Sequence, residues 1–251
     1  SSPTILGELL LALVRQRPDL HIYVLAWDFA MVYALEREWI PKFRIPWQSH
    51  DKLHIYMDDQ HPQGGCHHQK VVVIDDHVAF VGGLDLTQSR WDTSEHRIED
   101  TRRTNSDGKA YPPFHDVQII VEGKVAQTLG DLARERWHRA TGQPITSPRH
   151  FSPPPDLWPP WIDPDMHNVD VAISRTLPTY EDRPGVYEIQ QLYIDAIKTA
   201  RHVIYLENQF LTSHIIQKAL AECLQDPDGP EILILLRRDG GDWLEQMTMD
   251  V

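Results

Sequence analysis

His68 and Lys70 lie two positions apart at the head of an apolar run, Val71-Val72-Val73-Ile74, set between Gly64-Gly65 and Asp75-Asp76. Four unbroken apolar residues between turn formers predict a short strand buried on both faces. Side chains alternate along a strand, so the imidazole and the ammonium project from one face. Such a pair suits a phosphate: the ammonium neutralises oxygens while the imidazole attacks phosphorus or moves a proton. After the turn a second short run, Val78 to Val81, reaches Gly82-Gly83. Two residues without side chains let backbone approach a ligand closely, and Asp85 returns a carboxylate to the same region.

His68-x-Lys70-x4-Asp75 with Gly82-Gly83-x-Asp85 in register resembles the HKD signature of the phospholipase D superfamily. Arg90-Trp91-Asp92, followed by His96, is similar to the RWD-type segment after the first such motif in the larger members. His115-Asp116-Val117 is similar to their HDV strand, and Ser174-Arg175 with Glu207-Asn208-Gln209-Phe210 to the opening of their second half. The resemblance implies a nucleophilic His68, a phosphate clamp at Lys70, and orienting carboxylates at Asp75 and Asp116. By the same likeness Asp116 accepts a hydrogen bond from His68; a carboxylate there fixes the tautomer and frees the other nitrogen to attack. Gly82, Gly83 and Asp85 would form the phosphate pocket, with Arg90, Trp91, Asn208 and Gln209 as further substrate contacts. Asp85 departs from the family, where many members carry Asn, and an unpaired carboxylate would repel phosphate. The likeness is closer to lipid-cleaving phospholipases D and cardiolipin-synthase-like enzymes than to the compact nucleases.

The elements that must hold these residues follow from periodicity. A helix is expected over 4–16, a strand from Leu20 ending at Trp27-Asp28, a helix over 30–38, a Pro-containing loop to His50 and a strand over 53–57. Residues 86–113 are polar, and most of 97–111 reads as a solvated insertion. A strand from Pro113 to Val121 and an amphipathic helix from Val125 to Arg139, with Trp137 toward the core, close the first half. Residues 141–168 hold eight prolines and read as a linker or surface crossing, with Trp158 and Trp161 packing. A helix from Val186 to Ala200, with Ile189, Leu192, Tyr193 and Ala196 on one side, then precedes a strand over 202–206, a helix over 213–224 and a strand over 231–236. The expected fold is α/β: a phospholipase D-like mixed sheet flanked by helices, with an internal repeat whose second copy is incomplete. The expected division is a motif-bearing domain over 1–146, a Pro-rich linker over 147–168 and the start of a second domain over 169–251.

The offset from Trp27 to His68, laid off from Leu206, lands among the last few residues before Val251, and no second His-x-Lys-x4-Asp occurs in the 251 residues. The family resemblance implies two motifs facing each other, one His forming a phosphohistidine and the other protonating the leaving alcohol. The second is expected from a further C-terminal part of the polypeptide or from a homodimer partner. Alternatively the chain acts by binding, without catalysis. A net charge of −13 disfavours a nuclease, which needs cationic contacts with a phosphate backbone. Phospholipid or another phosphodiester at a membrane surface is the expected substrate. No transmembrane run or signal peptide is evident, so a soluble or peripheral protein is expected, and two cysteines imply no disulfide framework. Cys66, His67, His68 and His61 fit no common zinc spacing, and Lys70 would repel a cation. No cofactor is expected, although some phospholipases D use calcium.

Overall fold

The protein is described from a computed structural model over residues 6–27, 50–62, 65–148 and 156–236. The helix expected over 30–38, most of the loop after it, and Gly64 lie outside the described residues. The chain divides into two compact units, Ser1–Val171 and Ala172–Val251, and the architecture is mixed α/β.

In the first unit, helix α1 (Leu6–Gln16) leads to strand β1 (Ile22–Trp27), which pairs in parallel with β2 (Leu53–Asp58), Ile22 opposite Leu53 and Trp27 opposite Asp58. The carboxyl ends of both strands therefore lie together, the end of a parallel pair at which ligands gather in α/β proteins. Strands β3 (Lys70–Ile74), β4 (Val78–Gly82) and β5 (Gln118–Glu122) form an antiparallel sheet in that order. Helix α2 (Lys124–Thr141) packs against β2 and against all three strands of this sheet, so it joins the parallel pair to the motif-bearing sheet. Ala126, Leu129, Gly130, Trp137 and Ala140 recur at helical spacing on its buried side. Trp137 meets Tyr23 of β1 and Tyr56 of β2 edge-on, as its core placement in the sequence anticipates. Gly142 ends the helix in the left-handed conformation.

Two expectations change here. Strand β3 is not buried on both faces: Val72 is 37% and Ile74 45% exposed, because an antiparallel sheet can leave one face open. The strand expected from Pro113 pairs only from Gln118; Pro112 and Pro113 carry no N–H to donate. Most of 97–111 is exposed, as expected of a solvated insertion, but the segment is pinned at its centre, where Arg103 is only 1% exposed. Its guanidinium donates to Asp92 Oδ1 at 2.9 Å and to the carbonyls of Arg97 and Ile98. Asp92 also accepts from the Thr93 and Phe114 N–H groups and the His96 ring. Burial pushes this carboxyl upward, but those hydrogen bonds outweigh it and hold it well below the usual carboxylate range.

The β3–β4 turn is made by Asp75 and Asp76, both with positive φ (48° and 60°), and His77 N–H closes it on the Ile74 carbonyl at 3.0 Å. Aspartate tolerates this conformation, which matches strand twist in hairpins. The buried Asp76 carboxylate then receives both arms of Arg134 from α2, at 2.8 and 2.9 Å. Further along, Trp158 Nε1 donates to the Ile162 carbonyl, whereas Trp161 is exposed rather than packed.

The second unit holds a two-residue hairpin pair, β6 (Thr176–Leu177) and β7 (Val186–Tyr187), then α3 (Glu188–Thr199), β8 (Val203–Asn208), α4 (His214–Cys223) and β9 (Glu231–Leu236). Val186 and Tyr187 thus belong to a strand rather than to the helix. Arg175 fixes the start of α3 with a two-armed bond to Glu188. The core is Ile197, Ile204, Ile216 and Leu220, with Tyr193, Ile194 and Ala200 packed against it. Ile189 and Leu192 are exposed, so the buried face of α3 is turned from the expected one. Strands β8 and β9 pair in parallel, Val203 opposite Glu231. Each unit therefore contains a helix followed by a parallel strand pair.

Candidate functional site

The head of the antiparallel sheet gathers the motif. Lys70 opens β3 and pairs with Gly82 of β4, which pairs with Gln118 of β5. At Gly82 a side chain would run into the Val117 carbonyl and the backbone of Gln118. At Gly83 it would collide with the Asp116 carboxylate. The two glycines thus serve packing: they let the approach to β5 close over the end of β4, so that Asp116 and Asp85 reach the end of the sheet where Lys70 begins. Gly83 N–H donates to the Val117 carbonyl at 3.2 Å, and Asp116 Oδ1 accepts from Val117 N–H at 2.8 Å.

Lys70 is the electrostatic centre. Its side chain is 11% exposed, and Nζ donates to the His68 carbonyl at 3.0 Å and lies 3.2 Å from Asp85 Oδ1. Asp85 Oδ2 is 3.9 Å from Arg90 Nη2. The carboxylate that departs from the family pattern is therefore paired with two cations, which removes much of its repulsion toward an anion. The Arg90 guanidinium lies over the Phe114 ring at 4.9 Å, between the carboxylate and an aromatic face. His68 is exposed, and its carbonyl helps to hold the Lys70 ammonium.

The remaining expected residues belong to other segments of the chain. Asp75 follows the far end of β3, roughly 17 Å from Lys70 at about 3.3 Å per residue, so it is not brought to the end of the sheet where Lys70 stands. Its place is the positive-φ turn. Trp91 is half exposed under the Arg102 guanidinium. Asn208 and Gln209 are exposed at the carboxyl end of β8 in the second unit, where Asn208 Oδ1 accepts from Gln209 N–H at 2.9 Å.

Spacing leaves unmarked a second layer behind the motif. Asp58, at the carboxyl end of β2, is buried and accepts from Arg136 Nη2 of α2 at 3.0 Å and from Gln60 N–H at 3.1 Å. His67 Nε2 lies 3.2 Å from its Oδ2. Burial would raise the Asp58 carboxyl, but the adjacent His67 ring and the hydrogen bonds from Gln60 and Arg136 prevail and hold it at about 2. The only hint of this layer in the sequence is a carboxylate where a buried strand ends.

His61 accepts from Trp27 Nε1 at Nε2 and meets the Pro62 carbonyl with Nδ1. Both of its nitrogens are committed, which removes it from any zinc site with Cys66 and its neighbours. Among the described residues no three His, Cys, Asp or Glu side chains converge as metal ligands, and no helix is long and apolar enough to cross a membrane.

A family model described as phospholipase D matches residues 46–151. Among curated proteins the chain is similar to phospholipase D alpha 1 of Vigna unguiculata, 30% identical over 193 residues, which are 57% of this chain and 24% of that protein. It is also similar to phospholipase D1 of Saccharomyces cerevisiae, 27% identical over 216 residues, 66% of this chain and 13% of that protein. Phospholipase D C of Dictyostelium discoideum is 29% identical over 144 residues, 47% of this chain and 9% of that protein. The chain spans about a quarter or less of the length of these relatives.

Proposed function

The chain belongs to the phospholipase D superfamily, and from that premise we propose that it supplies one half of an active site that cleaves or transfers phospholipid phosphodiesters. His68 attacks phosphorus through a ring nitrogen, a P–N bond forms, and the bond to the headgroup alcohol breaks. The leaving oxygen takes its proton from a second histidine. Water or an acceptor alcohol then attacks the phosphohistidine, giving a phosphatidic acid or a transferred phosphatidyl group. Lys70 holds the non-bridging oxygens with Arg90 nearby, and Gly82 and Gly83 shape the pocket wall. Asp116 accepts a hydrogen bond from the proton-bearing nitrogen of His68, while Asp75 forms the turn that fixes the strand. Asn208, Gln209 and Trp91 are further substrate contacts in this reading.

The observation that carries the proposal is the ammonium of Lys70, largely buried and held between the carbonyl of His68 and the carboxylate of Asp85. A held cation so near the backbone of His68 supports reading that residue as the nucleophile. The second histidine comes from another stretch of the polypeptide, a reading supported by relatives several times as long, with a second copy of the chain as the alternative. Residues 1–146 form the motif-bearing domain, 147–168 a crossing, and 169–251 the opening of a related domain. The substrate is met at a membrane surface.

Quenching the reaction with labelled phospholipid tests the proposal. Acid-labile, base-stable phosphate is expected on His68, with headgroup released, and none in His68→Gln. Cleavage of DNA without headgroup release would move the assignment to a nuclease. Lipid binding with no trapped phosphate would make the chain a binding protein.

A further inference from the structure

His68 is flanked by two residues that α2 holds from behind. Arg136 Nη1 donates to Gln69 Oε1 at 2.8 Å, and Nη2 to Asp58 Oδ2 at 3.0 Å. The same Asp58 oxygen lies 3.2 Å from His67 Nε2. The His67 ring is further bounded by His61, edge-on at 5.5 Å, which Trp27 fixes through its indole N–H at 2.9 Å. Trp27 and Asp58 are themselves register partners at the carboxyl ends of β1 and β2. The residues on either side of His68 are thus tied to β1, β2 and α2, and the His68 carbonyl is tied to Lys70.

Resting on the reading of His68 as the nucleophile, we propose that Arg136 and Asp58 are positioning residues, a clamp on His67 and Gln69 that fixes the reactive imidazole without touching it. A planar guanidinium offers two donors at a fixed angle and so sets the separation of its two acceptors, which an ammonium does not. Burial alternates just before β3, with His67 and Gln69 half-buried and His68 exposed between them, so a restraint on 67 and 69 carries through to 68. The requirement is steep, since misplacing a reacting atom by about 1 Å costs on the order of 100-fold in rate.

A purely structural role predicts something different, and Arg134 supplies the control. It lies on the same helix and makes an equally close two-armed pair with buried Asp76, but at the hairpin end, away from His68. Arg136→Met and Arg134→Met would be compared in the chain with isotopically labelled histidine rings, the His68 signal being assigned by its loss in His68→Gln. The clamp predicts a displaced or broadened His68 signal in Arg136→Met and an unchanged one in Arg134→Met, whatever their melting temperatures.

In the full-length protein, formation of phosphohistidine should slow roughly 10- to 100-fold in Arg136→Met, with KM held within about twofold. Arg136→Lys should recover the rate only in part, and Arg134→Met should keep it at a temperature where both variants are folded. An unmoved His68 signal and rate in Arg136→Met would overturn the clamp. So would losses that follow stability alike in both variants. Absence of phosphohistidine in the wild type would instead defeat the nucleophile reading, and the ring signals would still decide whether Arg136 sets His68.

Discussion

At the scale of single residues, Asp58 shows how a group with no chemistry of its own controls a site. Its carboxyl is held at about 2 against an ordinary 3.8. A carboxyl depressed in the folded state contributes stability above its unfolded value, and that stability is lost as pH falls through the folded one. Asp58→Asn should therefore cost about 2 kcal/mol near neutrality, where it leaves Arg136 with a poorer partner. The melting-temperature gap between wild type and variant should close as pH falls from about 4 to about 2. A gap that stays constant through that window would show that Asp58 contributes by shape and not by charge. Such a residue is hard to read in a sequence, because Arg136 lies 78 positions away and ion pairs between distant positions leave no period. The pairing of Lys70 with Gly82 is legible because a strand and its hairpin encode it locally. Asp75, equally local, shows the limit: spacing identifies it as part of a motif, but only the length of β3 shows that it stands at the opposite end of the strand from Lys70.

At the scale of elements, α2 does two jobs: its apolar side packs the core, and its arginines hold down the motif strand. Gly130 lies where these meet. A glycine inside a helix ordinarily gains about 1 kcal/mol on replacement by alanine. Here the added methyl would run into Asp76 Oδ1, and that carboxylate cannot retreat because Arg134 grips both its oxygens. Gly130→Ala should thus lower the melting temperature, by an amount matching about 1–3 kcal/mol of overpacking, and a rise would mean that the hairpin shifts freely over the helix. Helices and strands with strong periodicity, such as α1, α2, β2 and β9, are legible to within a residue or two. The loop from Asp85 to Phe114 is not, since its order comes from one buried Arg103 and one four-fold acceptor, Asp92. Composition alone marks that stretch as solvated. The face of α3 is misjudged for a related reason: Ile189 and Leu192 satisfy the helical period, but the core is set by where β8 and α4 lie, at Ile197, Ile204, Ile216 and Leu220.

At the scale of the whole molecule, charge separates the competing substrates. The chain carries a net −13, while the cations at the motif, Lys70 and Arg90, already face Asp85. An approaching polyanion therefore meets long-range repulsion and only a short-range attraction, and salt weakens the first more than the second because exposed charges are screened over a Debye length. Raising monovalent salt from about 10 to about 150 mM shrinks that length from roughly 30 to 8 Å. Headgroup release from vesicles containing anionic phospholipid should accordingly rise over this range, and release from zwitterionic vesicles should change little. A protein built to bind nucleic acid behaves in the opposite way, losing about 10³- to 10⁵-fold in affinity between roughly 50 and 200 mM salt when it makes 6–10 phosphate contacts. A steep fall with salt on every phosphodiester tried would mean that a cationic surface drives association. The lipid assignment would then give way to a nucleic-acid one, even with His68 kept as the nucleophile.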